Sequence, residues 1–184
     1  MQWKLKQAKE VLRTVPFNVQ ELSLIECSSQ KALDKPYHRL AMPDWANVVG
    51  ITKQNELILI EQTRVGPMCD VLELPGGVID EGEKEAVAAK RELEEETGYT
   101  SDEDVIYLGA VNPNPAFSNN SLHMFVLQSC YLAENRKFFP DENEKIQTKL
   151  VSFEKALELC RDHQIGSALA QLTILQAKLK GYLN

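Results

Sequence analysis

Histidine is scarce in this chain of 184 residues: His38, His123 and His163 are too dispersed to form a metal cluster. The four cysteines, Cys27, Cys69, Cys130 and Cys160, are scattered without a C-x-x-C pair. That spacing indicates neither a zinc site nor a disulfide framework, and reduced thiols are expected. No apolar run approaches the length needed to span a bilayer. Residues 1–15 (MQWKLKQAKEVLRTV) are charged and lack an apolar centre, so no signal peptide and a cytoplasmic location are expected. Positive charge is in deficit as well, with 20 Lys and Arg against 27 Asp and Glu and a net charge of −7. A nucleic-acid backbone is therefore a poor main partner. A small anionic substrate stays open, because a bound metal and local arginines reverse the field inside a pocket. Internal repeats and low-complexity segments are also absent.

Hydrophobic residues make up 43% of the chain, enough to fill the core of one domain with a small N-terminal appendage. Residues 1–15 suit either a strand or a helix, and Pro16 ends that element. Strands are expected over 17–27, 38–42, 45–52, 56–62, 105–111, 122–132 and 146–153. ELILIEQ (residues 56–62) gives the plainest of these signals, and TRVGPMCD reads as the loop after it. Helices are expected over 84–97, 154–162 and 167–183, the last turning Leu169, Leu172, Ile174, Leu175 and Leu179 largely toward the core. His123, inside a strand pattern, reads as a packed core residue. Residues 133–145, which contain Pro140 and DENE, read as an acidic loop. Strands mixed with three helices imply an α+β or layered α/β domain.

The chemistry concentrates between Gly77 and Tyr99, GVIDEGEKEAVAAKRELEEETGY. Ala, Glu, Lys, Arg and Leu dominate residues 84–97, all good helix formers. Acidic Glu83 and Glu85 suit the positive end of the helix dipole, and Gly98 stands where a left-handed residue closes a helix. Ala86, Ala89, Leu93 and Thr97 form a narrow face for packing on a sheet. Glu92, Glu95 and Glu96 fall at i, i+3 and i+4, so their carboxylates share a flank. Taken alone, such a run is usually a solvated acidic face. The flanking Gly77, Glu83, Arg91 and Gly98 point elsewhere. Three adjacent like charges repel each other unless a cation sits among them, and Mg²⁺ prefers such oxygen ligands. Arg91 reads as a structural partner that orients one or more of the glutamates.

The pattern G-x5-E-x7-R-E-(apolar)-x-E-E-x-G-(apolar) is identified as a Nudix box, matched at every position. The resemblance implies an α+β fold of the α/β/α layered Nudix type, a mixed sheet flanked by helices. It also implies hydrolysis of a nucleoside diphosphate linked to another group. Outside the box, the chain resembles the ADP-ribose pyrophosphatase and nucleoside-diphosphate-sugar branch over roughly residues 45–152. EQTR, ending at Arg64, is similar to that branch's EQxR element, whose arginine binds substrate. ELPGG, from Glu73 to Gly77, is similar to its lead into the box. Pro113 and Pro115 lie where the branch carries a proline. DENEKI resembles its ENE-type loop, which brings a further glutamate to the metal or the attacking water.

By this resemblance residues 1–43 form a β-rich extension that builds a homodimer, and residues 44–184 form the hydrolase domain. Glu92, Glu95, Glu96 and the Gly76 carbonyl would hold Mg²⁺, with Mn²⁺ as a substitute. Arg64 and Glu73 would bind the substrate, and Glu142, Glu144 or Glu95 would serve the attacking water. Trp45, Phe117 or Tyr37 would stack on the base. The expected substrate is a nucleoside diphosphate sugar, most simply ADP-ribose, with GDP-mannose or another nucleotide sugar as the alternative. A different class remains open, a sensor that binds such a metabolite without cleaving it.

Overall fold

The computed structural model describes residues 2–140 and 145–183. Backbone contacts divide the chain into two units, one of residues 1–44 with 112–121, the other of residues 45–111 with 122–184.

The first unit is a three-stranded antiparallel sheet of β1 (Trp3–Arg13), β2 (Asn18–Glu26) and β3 (Tyr37–Ala41), in that order. Residues whose sequence suited strand or helix equally become β1 because β2 offers a full ladder, from Trp3 opposite Glu26 to Arg13 opposite Asn18. Register shifts between Leu5 and Gln7 and between Glu10 and Leu12 break the regularity of this long strand. Such bulges blunt an edge that would otherwise recruit another strand. The Asn112–Ser121 loop is tied down rather than loose. The Asn112 amide donates to the carbonyls of Ser118 and Asn120, at 3.1 and 3.0 Å. The Leu40 N–H donates to the Phe117 carbonyl at 2.7 Å, and the Ser121 N–H to the Asp44 carboxylate at 2.7 Å.

The second unit carries the mixed sheet. Its strands are β4 (Trp45–Thr52), β5 (Glu56–Arg64), β6 (Cys69–Glu73), β7 (Gly76–Val78), β8 (Tyr99–Thr100), β9 (Ile106–Val111), β10 (Leu122–Leu132) and β11 (Ile146–Ser152). The main path runs β11-β5-β4-β10-β8, with β6 beside β5, β7 beside β4 and β9 beside β10. Only β4 and β10 pair in parallel among these. Helix α1 (Glu85–Thr97) covers one face of the sheet. Helices α2 (Phe153–Arg161) and α3 (Ala168–Leu179) cover the other. The expected layered α+β architecture is the one found.

Both faces are buried, so the central strands are apolar on both sides. Ala46 and Val48 of β4, Ile58 of β5 and Phe125 and Leu127 of β10 pack with Ala88, Ala89 and Leu93 of α1. Their neighbours Val49, Ile51, Leu57, Leu59, Leu122, Met124 and Val126 face Leu159, Ile174 and Ala177 of the other layer. Strands β4 and β10 fall on the expected residues, and β5 extends two residues further, taking Thr63 and Arg64 from the expected loop. Strands β6, β7 and β8 were not anticipated. In α3 the buried stripe is Ala170, Thr173, Ile174 and Ala177, at i, i+3, i+4 and i+7. Leu175 and Leu179 are exposed instead of core-facing, because small residues set this closely packed face. His123 is half-buried, its ring 6.3 Å from that of Tyr107, and not a core residue. No helix among the described residues is long and apolar enough to cross a membrane.

Candidate active site

Helix α1 begins after Lys84, with Glu85 in its first turn, and closes on Gly98, whose φ is 76° and whose N–H donates to the Glu94 carbonyl at 2.8 Å. A left-handed residue there favours glycine. Ala88, Ala89, Leu93 and Thr97 are buried against the sheet, while Ala86 is only half-buried.

Arg91 is the hub of the half-buried flank of α1 that carries the glutamates. Its Nε and one Nη donate to both oxygens of Glu83, each at 3.0 Å. The same Nη reaches the Val78 carbonyl at 3.0 Å. The other Nη donates to Glu92 at 2.8 Å and Glu95 at 3.0 Å. A planar five-donor fork suits this work in a way an ammonium does not. Hydrogen bonding from Arg91 holds the Glu83 carboxyl below its ordinary value, against the opposing effect of burial. Glu83 in turn raises the already high pKa of the guanidinium.

Glu96 is buried and accepts from the Gly76 N–H at 2.8 Å, which stitches α1 to β7. The approach is close enough to require glycine twice. A β-carbon on Gly76 would collide with the Ala46 carbonyl and the Asn47 side chain, and one on Gly77 would sit 2.6 Å from a Glu92 oxygen. On the same side of the sheet, the Arg64 Nε donates to Glu73 at 2.6 Å, joining the ends of β5 and β6.

The family model of the NUDIX domain matches residues 43–172. The chain belongs to the Nudix family. An "ADP-ribose pyrophosphatase" of Bacillus subtilis is 29% identical over 138 residues, covering 75% of this chain and 74% of its own. A "CMP-5'-(N-acetyl-N-hydroxy-3-aminopropyl)phosphonate hydrolase" of Streptomyces rubellomurinus is 26% identical over 179 residues, covering 95% and 83%. Among solved structures, "Crystal structure of ADP compounds hydrolase" superposes with a TM-score of 0.80 at 24% identity, covering 100% of this chain and 98% of that one. This Nudix hydrolase thus resembles the ADP-ribose pyrophosphatase branch.

The donor chemistry of the flank fits a hard divalent cation. Glu83, Glu92 and Glu95 bring three carboxylates to one guanidinium, an excess of two negative charges, and Glu96 follows Glu92 by one helical turn on the same flank. Gly77 leaves open the cradle beside Glu92 that any side chain would fill. Among the described residues, no three His, Cys, Asp or Glu side chains converge as a finished metal cage. Arg91 instead draws Glu92 and Glu95 to itself.

The structure therefore sets Glu92 and Glu95 on Arg91 and Glu96 on the Gly76 N–H, and pairs Arg64 with Glu73 in the same unit. It places Trp45, half-buried on β4, against the apolar cluster of the α2–α3 face. Phe117 and Tyr37 are exposed in the first unit. Glu142 and Glu144 lie outside the described residues.

One feature of the Nudix hydrolase escaped the sequence reading. Helix α1 has no basic residue in its last turn. Arg136, from the segment read as an acidic loop, supplies the missing cation. Its guanidinium donates to the carbonyls of Glu94 at 3.1 Å, of Phe138 at 2.7 Å and of Glu95, and lies 5.0 Å from the Phe139 ring. The Lys137 N–H donates to the buried Glu94 carboxylate at 2.6 Å. A cation at a helix C-terminus is the expected complement to its dipole. The sequence signal was a last turn rich in Glu with no basic residue of its own.

A cleft of about 960 Å³ opens along Lys90, Glu94, Asp102, Tyr131 and Phe138. At 100° per residue, positions 90 and 94 lie on the opposite side of α1 from 92 and 96. Arg91 borders this cleft as well, while Glu92 and Glu96 lie on the other flank.

Proposed function

We propose that this Nudix hydrolase cleaves the pyrophosphate bond of a nucleoside diphosphate sugar, with ADP-ribose as substrate and AMP and ribose 5-phosphate as products. The observation that carries the reading is the single flank of α1 that holds Glu92, Glu95 and Glu96, with Glu92 beside Gly77 and Glu96 on the Gly76 N–H. The named relatives are consistent with it.

Pyrophosphates resist attack largely because their negative charge repels nucleophiles. Glu92, Glu95, Glu96 and the Gly76 carbonyl would hold Mg²⁺, or Mn²⁺ in its place, which when bound neutralises phosphate charge and polarises the P–O bond. Arg91 keeps Glu92 and Glu95 oriented. Arg64 turns from Glu73 to the diphosphate, where a planar guanidinium matches two phosphate oxygens. Water attacks one phosphorus, the bridging P–O bond breaks, and the water's proton passes to a carboxylate. Glu142, Glu144 or Glu95 takes that proton. Phe117 and Tyr37 of a partner subunit are the candidates for holding the base, whereas Trp45 packs on the α2–α3 side of the sheet.

In this reading residues 1–43 are a dimer-forming extension and residues 44–184 the hydrolase domain. A homodimer is supported by the exposure of Leu5, Val11, Leu12 and Val15 in and beside a three-stranded sheet. So small a sheet is marginal by itself, and apolar surface of this kind marks an interface.

The full-length likeness to a hydrolase of a CMP-linked phosphonate favours one second reading, a different nucleoside on the same scissile bond. A panel of ADP-ribose, GDP-mannose and a CMP-linked sugar, compared by kcat/KM with Mg²⁺, decides between them. ADP-ribose should lead by at least tenfold. A leading CMP or GDP compound would overturn the choice of base, and no turnover of any would overturn the reaction.

A further inference from the structure

Two buried side chains among the described residues, Gln62 and Asn120, carry polar atoms with no hydrogen-bond partner. Gln62 stands on β5, two residues before Arg64. It is 7% exposed, and its Nε2 donates to nothing. Strand side chains alternate. Ile58 packs toward α1, so Gln62 and Arg64 lie on that same face of β5. Gln62 pairs with Val71 on β6, between the Ile60–Glu73 row and the Arg64–Cys69 row. To meet Glu73 at 2.6 Å, the Arg64 side chain must therefore run back past the Gln62 row. The ion pair thus spans the row that carries the orphaned amide.

A buried donor without an acceptor is destabilising, whereas an apolar group of the same shape is neutral or favourable there. Unpartnered groups of this kind call for a specific explanation. The neighbouring carboxylates already have partners: Glu73 is held by Arg64, and Glu96 by Gly76. A neutral amide is also the donor that can wait beside acids and cations without altering the local charge. We infer that Gln62 is a substrate-binding residue, whose Nε2 donates to a non-bridging phosphate oxygen once Arg64 leaves Glu73 for the diphosphate. The inference rests on the proposed function for the identity of the ligand as a diphosphate.

Gln62→Leu and Gln62→Glu test it, each measured for melting temperature, for kcat and KM on ADP-ribose, and for affinity toward Mg²⁺-pyrophosphate by calorimetry. Gln62→Leu should melt at or above the wild-type temperature while KM rises at least fivefold and pyrophosphate binds at least fivefold more weakly. Gln62→Glu, which replaces the donor by an anion facing phosphate, should lose more. A Gln62→Leu protein with KM and pyrophosphate affinity within twofold of wild type would overturn the inference, whatever its melting temperature. So would wild-type protein that fails to bind Mg²⁺-pyrophosphate. Failure of wild type to hydrolyse ADP-ribose would instead count against the substrate, and the pyrophosphate comparison would still decide the role of Gln62.

Discussion

At the scale of the residue, the site turns on how few cations serve many carboxylates. Arg91 holds Glu83 through two hydrogen bonds at 3.0 Å, and that contact lowers the Glu83 pKa. A depressed folded-state value stabilises the fold at pH above the ordinary carboxylate value, near 4.3, and the contribution is lost as pH falls through the lower folded value. Wild type should therefore melt above Glu83→Gln at neutral pH by an amount that shrinks below about pH 4.3. A melting difference that is unchanged at pH 3 would show that the charge of Glu83 is not the source. Gly77 offers a second test, because a methyl group there would stand 2.6 Å from a Glu92 oxygen. Gly77→Ala should lower kcat by about tenfold to a hundredfold, since displacing a reacting group by an ångström costs on that order. Circular dichroism should find the fold intact, and unchanged kcat would mean that Glu92 has room to move without consequence.

At the scale of the element, α1 was the most legible part of the chain. Its composition, its terminal glycine and the spacing of Glu92, Glu95 and Glu96 all act within one or two turns, so the sequence alone reveals them. Strands β6 and β7 were hidden because they are short and sit around Pro75, in a stretch that reads as a connection. Only their pairing with β5 and β4 makes them strands. Arg136 was hidden for a related reason, since its partners Glu94 and Glu95 stand 42 and 41 residues away. Removing that guanidinium takes a donor from the Glu94 and Glu95 carbonyls at the end of α1, of which Glu94 keeps the Gly98 N–H, at a cost of about 1–2 kcal/mol. Arg136→Ala should then lower the melting temperature by roughly 2–8 °C for a chain of this size. Arg136→Lys should recover part of it through charge alone. A melting temperature equal to wild type for both would remove Arg136 from the account of what holds the helix end.

At the scale of the molecule, the layered fold followed from the order of strands and helices, because central strands apolar on both faces demand a helix layer on each side. Which strand neighbours which did not follow, as the parallel pairing of β4 with β10 joins segments some 77 residues apart. The association state is equally a property beyond any local pattern. Light scattering should give about twice the chain mass of 20.8 kDa, and Leu5→Lys combined with Leu12→Lys should shift the protein toward the single-chain mass. A wild-type protein that scatters as a single chain at micromolar concentration would exclude the homodimer.

The central claim is that the carboxylates of α1 act by holding a divalent cation against a pyrophosphate. It is tested most directly by AMP release from ADP-ribose, measured with Mg²⁺ and with excess chelator, in wild type and in Glu96→Gln. Chelator should abolish turnover and Mg²⁺ restore it, and the folded variant should lose roughly two orders of magnitude or more. Turnover that survives chelation, or a Glu96→Gln enzyme as fast as wild type, would contradict it.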